Sequence, residues 1–206
     1  MFKRNFILGV ILILVASVAV VRIAKLRGRG PRSTAGGRAP AAKANVAIAV
    51  SDLQPDELIA AANAPAAAEF GKGDWINSDP LTLAKLRGRV VLVEFWTFGC
   101  YNCRNTLPSV KEWDARYRER GLTIVGVHTP ETNSEYSIDN VRREVPSLGI
   151  KYAVVTDNDY ATWKAYGVEA WPTIFVIDKQ GRIRWLHVGE GRYEETESVI
   201  RKLLPE

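Results

Sequence analysis

The chain has 206 residues, of which 47% are hydrophobic and 25% charged, with six tryptophans and a formal net charge of +5. That apolar content is ample for a filled core and excludes a disordered chain. Two cysteines and two histidines, His128 and His187, exclude a disulfide-stapled scaffold, and no metal is expected, since a four-ligand zinc site would need all four to converge without the second local ligand pair such sites carry.

In chain order the first feature is an uncharged run from Phe6 to Val21, preceded by Lys3 and Arg4, which reads as a targeting or membrane segment. As a helix this run spans about 24 Å, short of the roughly 30 Å hydrocarbon core. Two readings of residues 1–27 stay open. If Arg22 snorkels, Ile23 and Ala24 extend the run to a membrane anchor over 6–24; if cleavage follows the small pair Ser17 and Ala19, it is the core of a signal peptide. Arg22, Lys25, Arg27, Arg29 and Arg32 outnumber Lys3 and Arg4, which by the positive-inside rule opposes export of the C-terminal domain. Long domains translocate despite flanking charge, and export of that domain is the expectation. The positive charge owes much to this segment, and no nucleic-acid signature accompanies it.

Residues 28–70 shift to Ala, Gly, Pro and scattered charge, without the large apolar residues a core needs, and read as a flexible linker. A transient helix is expected at "QPDELIAAANA", where Pro55 suits a first helical position and Asp56 and Glu57 complement the N-terminus. From residue 71 to 206 the texture is that of an α/β domain, with short apolar strands alternating with amphipathic helices. "RVVLVEFW" is a buried strand; "LPSVKEWDARYRERG" is a helix with Val110, Trp113 and Tyr117 on one face and Gly121 as its stop. "LTIVGVH" is a second central strand, "SEYSIDNVRREV" a helix ended by Pro146, "YAVVTD" a strand, and "YATWKAYG" a short helix closed by Gly167. "TIFVID", the turn "KQG" and "RIRWLHV" form a hairpin, and "RYEETESVIRKLL" is the last helix.

Cys100 and Cys103 lie where the first strand passes into its helix. A disulfide there would close a loop of about four residues and remove only some 2 kcal/mol of chain entropy, so stapling is a poor use of the spacing. Chemistry is a better one. At a helix N-terminus the unpaired N–H groups and the helix dipole stabilise a thiolate, which lowers a thiol pKa and arms Cys100 as a nucleophile. Cys103, one turn on and facing inward, is then placed to attack a mixed disulfide on Cys100.

"VVLVEFWTFGCYNCRNTLP" followed by "GVEAWPTIFVIDKQGRI" resembles the thioredoxin superfamily, and within it the TlpA-like, membrane-associated disulfide reductases and the thioredoxin domain of DipZ-type proteins, over about Trp75 to Leu204. The resemblance implies a thioredoxin fold, a central mixed sheet flanked by helices, and thiol-disulfide oxidoreductase activity without a cofactor. It also implies an extracytoplasmic site, a membrane electron donor, protein disulfides as substrates, and a role such as cytochrome c maturation. Cys100 matches the family's nucleophile, Cys103 its resolving thiol and Pro108 the proline of the active-site helix. Glu94 falls at the buried acid beneath the sulfurs and is expected to accept the Cys103 proton; the plainer alternative is an outward-facing strand carboxylate.

Trp171-Pro172 matches the family's cis-proline loop, where the Trp171 backbone would pair with an extended substrate segment. Gly99 replaces the tryptophan common before the first cysteine, which would open the nucleophile to bulkier partners, while Tyr101 and Asn102 tune the potential. His128, at a strand end, reads as a structural donor ahead of a catalyst, and Trp113, Trp163 and Trp185 as packing residues. Two other functions fit parts of the pattern. Thr97 and Cys100 have the spacing of a peroxiredoxin-type thiol peroxidase, though Val93 stands where that class has proline, and a tethered thioredoxin-fold binding module would leave both cysteines idle.

Overall fold

The structure is a computed structural model and describes residues 52–205, so the hydrophobic run at 6–24 and most of the tether lie outside the described residues. Among the described residues no helix is long and apolar enough to cross a membrane.

Six strands form one mixed sheet: β1 (Trp75–Ile76), β2 (Val90–Trp96), β3 (Leu122–His128), β4 (Ala153–Thr156), β5 (Thr173–Ile177) and β6 (Ile183–Val188), in the order β1-β4-β3-β2-β5-β6. β2, β3 and β4 run parallel, and β1, β5 and β6 pair antiparallel. β2 is central and buried along its whole length, which is why its sequence is an almost unbroken apolar run instead of an alternating one. Among the described residues four α-helices flank the sheet: α1 (Tyr101–Tyr117), α2 (Ile138–Ser147), α3 (Ala161–Ala165) and α4 (Tyr193–Leu203).

The pleat divides β2 between two cores. Val90, Leu92 and Trp96 join the cluster that holds both cysteines, Leu107, Val110 and Trp113 of α1, Val141 and Val145 of α2, and Val199 and Ile200 of α4. Val91, Val93 and Phe95 face the other cluster, with Tyr166, Val168, Leu83, Leu86 and Leu53. Glu94 shares the first face by strand alternation, so a carboxyl lies in the layer between sheet and α1.

Three departures from the sequence reading have local causes. β1 is only two residues long, too short to show a period, and is recruited by pairing Trp75 with Val155 at the sheet edge. The expected helix over 134–145 is split into a 3-10 turn at Asn133–Tyr136 and α2, because Ser137 is extended (ψ 116°) and caps a new helix that runs through Pro146 to Ser147. Residues 52–70, expected as linker with a transient helix, instead run along the outer edge of β6. Asp56 N–H bonds Leu186 O, Ile59 N–H bonds Arg184 O, Ile183 N–H bonds Pro65 O, and Ala67 N–H bonds Gly181 O. An Ala/Pro-rich stretch builds no core of its own, but its small residues let the backbone approach and satisfy an edge strand. Leu53 is 8% exposed and belongs to the second core.

Candidate active site

Cys100 is the N-cap of α1, in extended conformation, and its Sγ accepts a hydrogen bond from the Cys103 N–H at 3.2 Å. The two sulfurs are bonded to each other, with Cα atoms 5.3 Å apart. Cys103 is fully buried, whereas Cys100 is 9% exposed. The window on Cys100 is narrow, although its neighbours Gly99 and Tyr101 are exposed, Tyr101 to 76%. Pro108 sits inside α1 two turns further on, where it supplies no N–H to the ladder.

Glu94 faces inward, not outward. Its side chain is fully buried; Tyr152 donates to Oε2 at 3.1 Å, and burial pushes its pKa up to about 8 against the opposing pull of that hydrogen bond. Tyr152 reaches Glu94 across β3 because Gly126, paired with Glu94, has no side chain: a Cβ there would stand 2.7 Å from Trp96 Nε1 and 3.2 Å from Tyr152 Cε2. A carboxyl that titrates near neutrality can take or return one proton within the layer that holds the sulfurs.

The Trp171-Pro172 bond is cis. Trp171 packs against the cluster that contains both cysteines, lies tilted against Trp163 with ring centroids 4.3 Å apart, and donates from Nε1 to Thr129 O at 3.1 Å. Pro172 is buried, and its carbonyl accepts from Gly189 N–H. Of the other tryptophans, Trp113 and Trp185 are buried, with Trp185 Nε1 donating to Thr196.

One group beside the site has no counterpart in the sequence reading. Glu135, 1% exposed, sends Oε1 to Gly99 N–H at 2.9 Å and Oε2 to the N–H groups of Glu131 and Thr132 at 2.7 and 2.8 Å. Burial alone would raise its pKa, but these bonds and one from the Thr97 hydroxyl outweigh it and hold the carboxyl below the usual range. Thr97 Oγ1 also meets His128 Nε2 at 3.1 Å. His128 is fully buried, stacked on Phe98 and edge-on to Trp96, and burial lowers its pKa to about 4 despite the nearby Glu135 charge, so the ring is neutral. Thr132 and Glu135 form a capping box, and its T-x-x-E spacing was the available signal. Its reach to Gly99 was not, because that contact joins loops 36 residues apart.

Among the described residues no three His, Cys, Asp or Glu side chains converge as metal ligands.

Sheet order, helix placement and a C-x-x-C pair capping the first helix define a thioredoxin-fold dithiol protein. The chain belongs to the redoxin family, whose sequence profile matches residues 62–204. Protein DipZ of Mycobacterium tuberculosis is 42% identical over 133 residues, which is 63% of this chain and 19% of that protein. The chain thus spans about a fifth of the length of that relative. Thiol-disulfide oxidoreductase ResA of Bacillus anthracis is 30% identical over 125 residues, covering 61% of this chain and 69% of ResA. A solved thiol-disulfide isomerase from Corynebacterium glutamicum superposes with a TM-score of 0.64 at 27% identity, over 70% of this chain and 98% of that one.

Proposed function

We propose that the protein is a thiol-disulfide oxidoreductase that reduces protein disulfides outside the cytoplasm, tethered through residues 6–24 and recharged by a membrane electron donor. The observation that carries the reading is the asymmetry of the dithiol: Cys100 keeps 9% of its surface exposed at a helix N-terminus, and Cys103 is fully buried one turn behind it. Relatives named as thiol-disulfide oxidoreductases and isomerases support it. The hydrophobic run behind Lys3 and Arg4 supports the tether. A role in cytochrome c maturation is the physiological assignment that the resemblance favours.

In the reducing direction the Cys100 thiolate attacks one sulfur of a substrate disulfide, forming a mixed disulfide and expelling the other substrate sulfur as thiolate. Cys103 then gives its proton to Glu94, whose buried carboxyl ionises as pH rises toward about 8, and attacks Cys100 Sγ. The Cys100–Cys103 bond closes and the second substrate sulfur leaves, so the substrate gains two electrons and the dithiol loses them. Gly99, Tyr101 and Trp171 form the contact surface, and Pro172 fixes the loop from which the Trp171 backbone pairs with an extended substrate.

Reduction of insulin by the dithiol form tests this reading. Wild type is expected to turn over, Cys100→Ser to lose activity by at least about a hundredfold, and Cys103→Ser to stop at a stoichiometric mixed disulfide. Activity retained by Cys100→Ser, or peroxide consumed faster than disulfide, would overturn the assignment.

A further inference from the structure

Glu135 is a buried anion whose hydrogen-bond donors are all neutral: three backbone N–H groups and the Thr97 hydroxyl. No lysine or arginine is among these partners, so its charge is solvated by the protein and not cancelled. One of the N–H groups belongs to Gly99, the residue immediately before Cys100. A Cβ on Gly99 would lie 2.5 Å from Glu135 Oε1 and would push the carboxylate end aside. Gly99 is therefore the residue that lets a carboxylate dock on the peptide leading into the nucleophile, and not merely an open approach for substrate.

We infer that Glu135 is a positioning residue for Cys100, holding the Gly99 peptide and setting a fixed negative charge beside the dithiol that keeps the couple reducing. The inference rests on the dithiol chemistry proposed above. Two fields meet at Cys100. The α1 N-terminus favours a thiolate there, and a nearby carboxylate disfavours it. Destabilising the reduced, thiolate-bearing form relative to the disulfide lowers the reduction potential. The other groups around Glu135 do not offset its charge. His128, from β3, is neutral and faces Thr97, while the Tyr160 phenol is pushed up to about 12 chiefly by burial. Glu131 adds a like charge on the same connection, and Glu94 lies within the sheet layer on the far side of Trp96 in the strand.

Glu135→Gln keeps the side-chain shape and removes the charge, and Gly99→Ala leaves the charge and drives it off the Gly99 peptide. Each full-length variant is equilibrated with a glutathione redox buffer at neutral pH, and the thiolate absorbance of the reduced protein is titrated. Both variants are expected to shift the equilibrium toward the dithiol by about tenfold, about 30 mV more oxidising, with the Cys100 thiolate appearing at lower pH. Glu135→Asp, which restores a carboxylate, is expected to recover part of the shift. An unchanged equilibrium constant and thiolate titration in both variants, whatever happens to their thermal stability, would overturn the inference and leave a purely structural capping box. Failure of the wild-type dithiol to reduce insulin would instead reject the functional reading, and the equilibrium constants would still report on Glu135.

Discussion

Glu94 is fully buried with a pKa of about 8, against 4.5 for an ordinary glutamate, and this has a measurable consequence for stability. Between those two values the unfolded chain has released a proton that the folded chain keeps. Stability attributable to this group is therefore intact below the ordinary value, falls as pH rises through the window, and is flat above about 8, for a total on the order of 5 kcal/mol. Glu94→Gln is expected to gain stability relative to the wild type across that same window and to show no gain in acid. Urea unfolding of the oxidised proteins from about pH 4 to pH 9 checks it, and parallel profiles would contradict the burial argument. His128 works in the opposite sense. Its folded pKa of about 4 lies below the ordinary 6.5, so the stability it contributes is present above the latter and is lost as pH falls toward the former.

At the scale of elements, β2, β3 and β4 converge on the site because small residues stand where side chains would collide. Gly126 is the case in point. Alanine there would drive a Cβ to 2.7 Å from Trp96 Nε1 and 3.2 Å from Tyr152, both ring atoms packed in the core, and neither ring has an easy exit. Gly126→Ala is expected to cost about 1–3 kcal/mol in urea unfolding, with the oxidised fold retained. A change under about 0.5 kcal/mol would show that the rings move freely. Long apolar runs and helical periodicity were legible in the sequence: β2, β3, the β5–β6 hairpin and the face of α1 carrying Val110, Trp113 and Tyr117 follow from hydrophobic pattern. β1 was not, since two residues have no period. The break at Ser137 was not either, because it depends on one residue turning extended between the 3-10 turn and α2 and capping the new helix.

Across the whole molecule, the dithiol was readable from spacing because a strand-to-helix junction has one preferred place for a nucleophile. The Glu135 bridge and the packing of 52–70 on β6 were not, since both are long-range backbone contacts made by residues of ordinary type. Asp56 illustrates the second: in sequence it is a helix-start signal, and in the fold its carboxylate meets His187 Nδ1 at 2.7 Å, across 131 positions. The two sulfurs themselves are unequal, Cys100 narrowly exposed and Cys103 fully buried. Limiting alkylation of the reduced full-length chain near neutral pH, read by peptide mass, tests that claim most directly. Iodoacetamide is expected to label Cys100 while Cys103 stays unmodified; label arriving first on Cys103, or on neither sulfur, would contradict it.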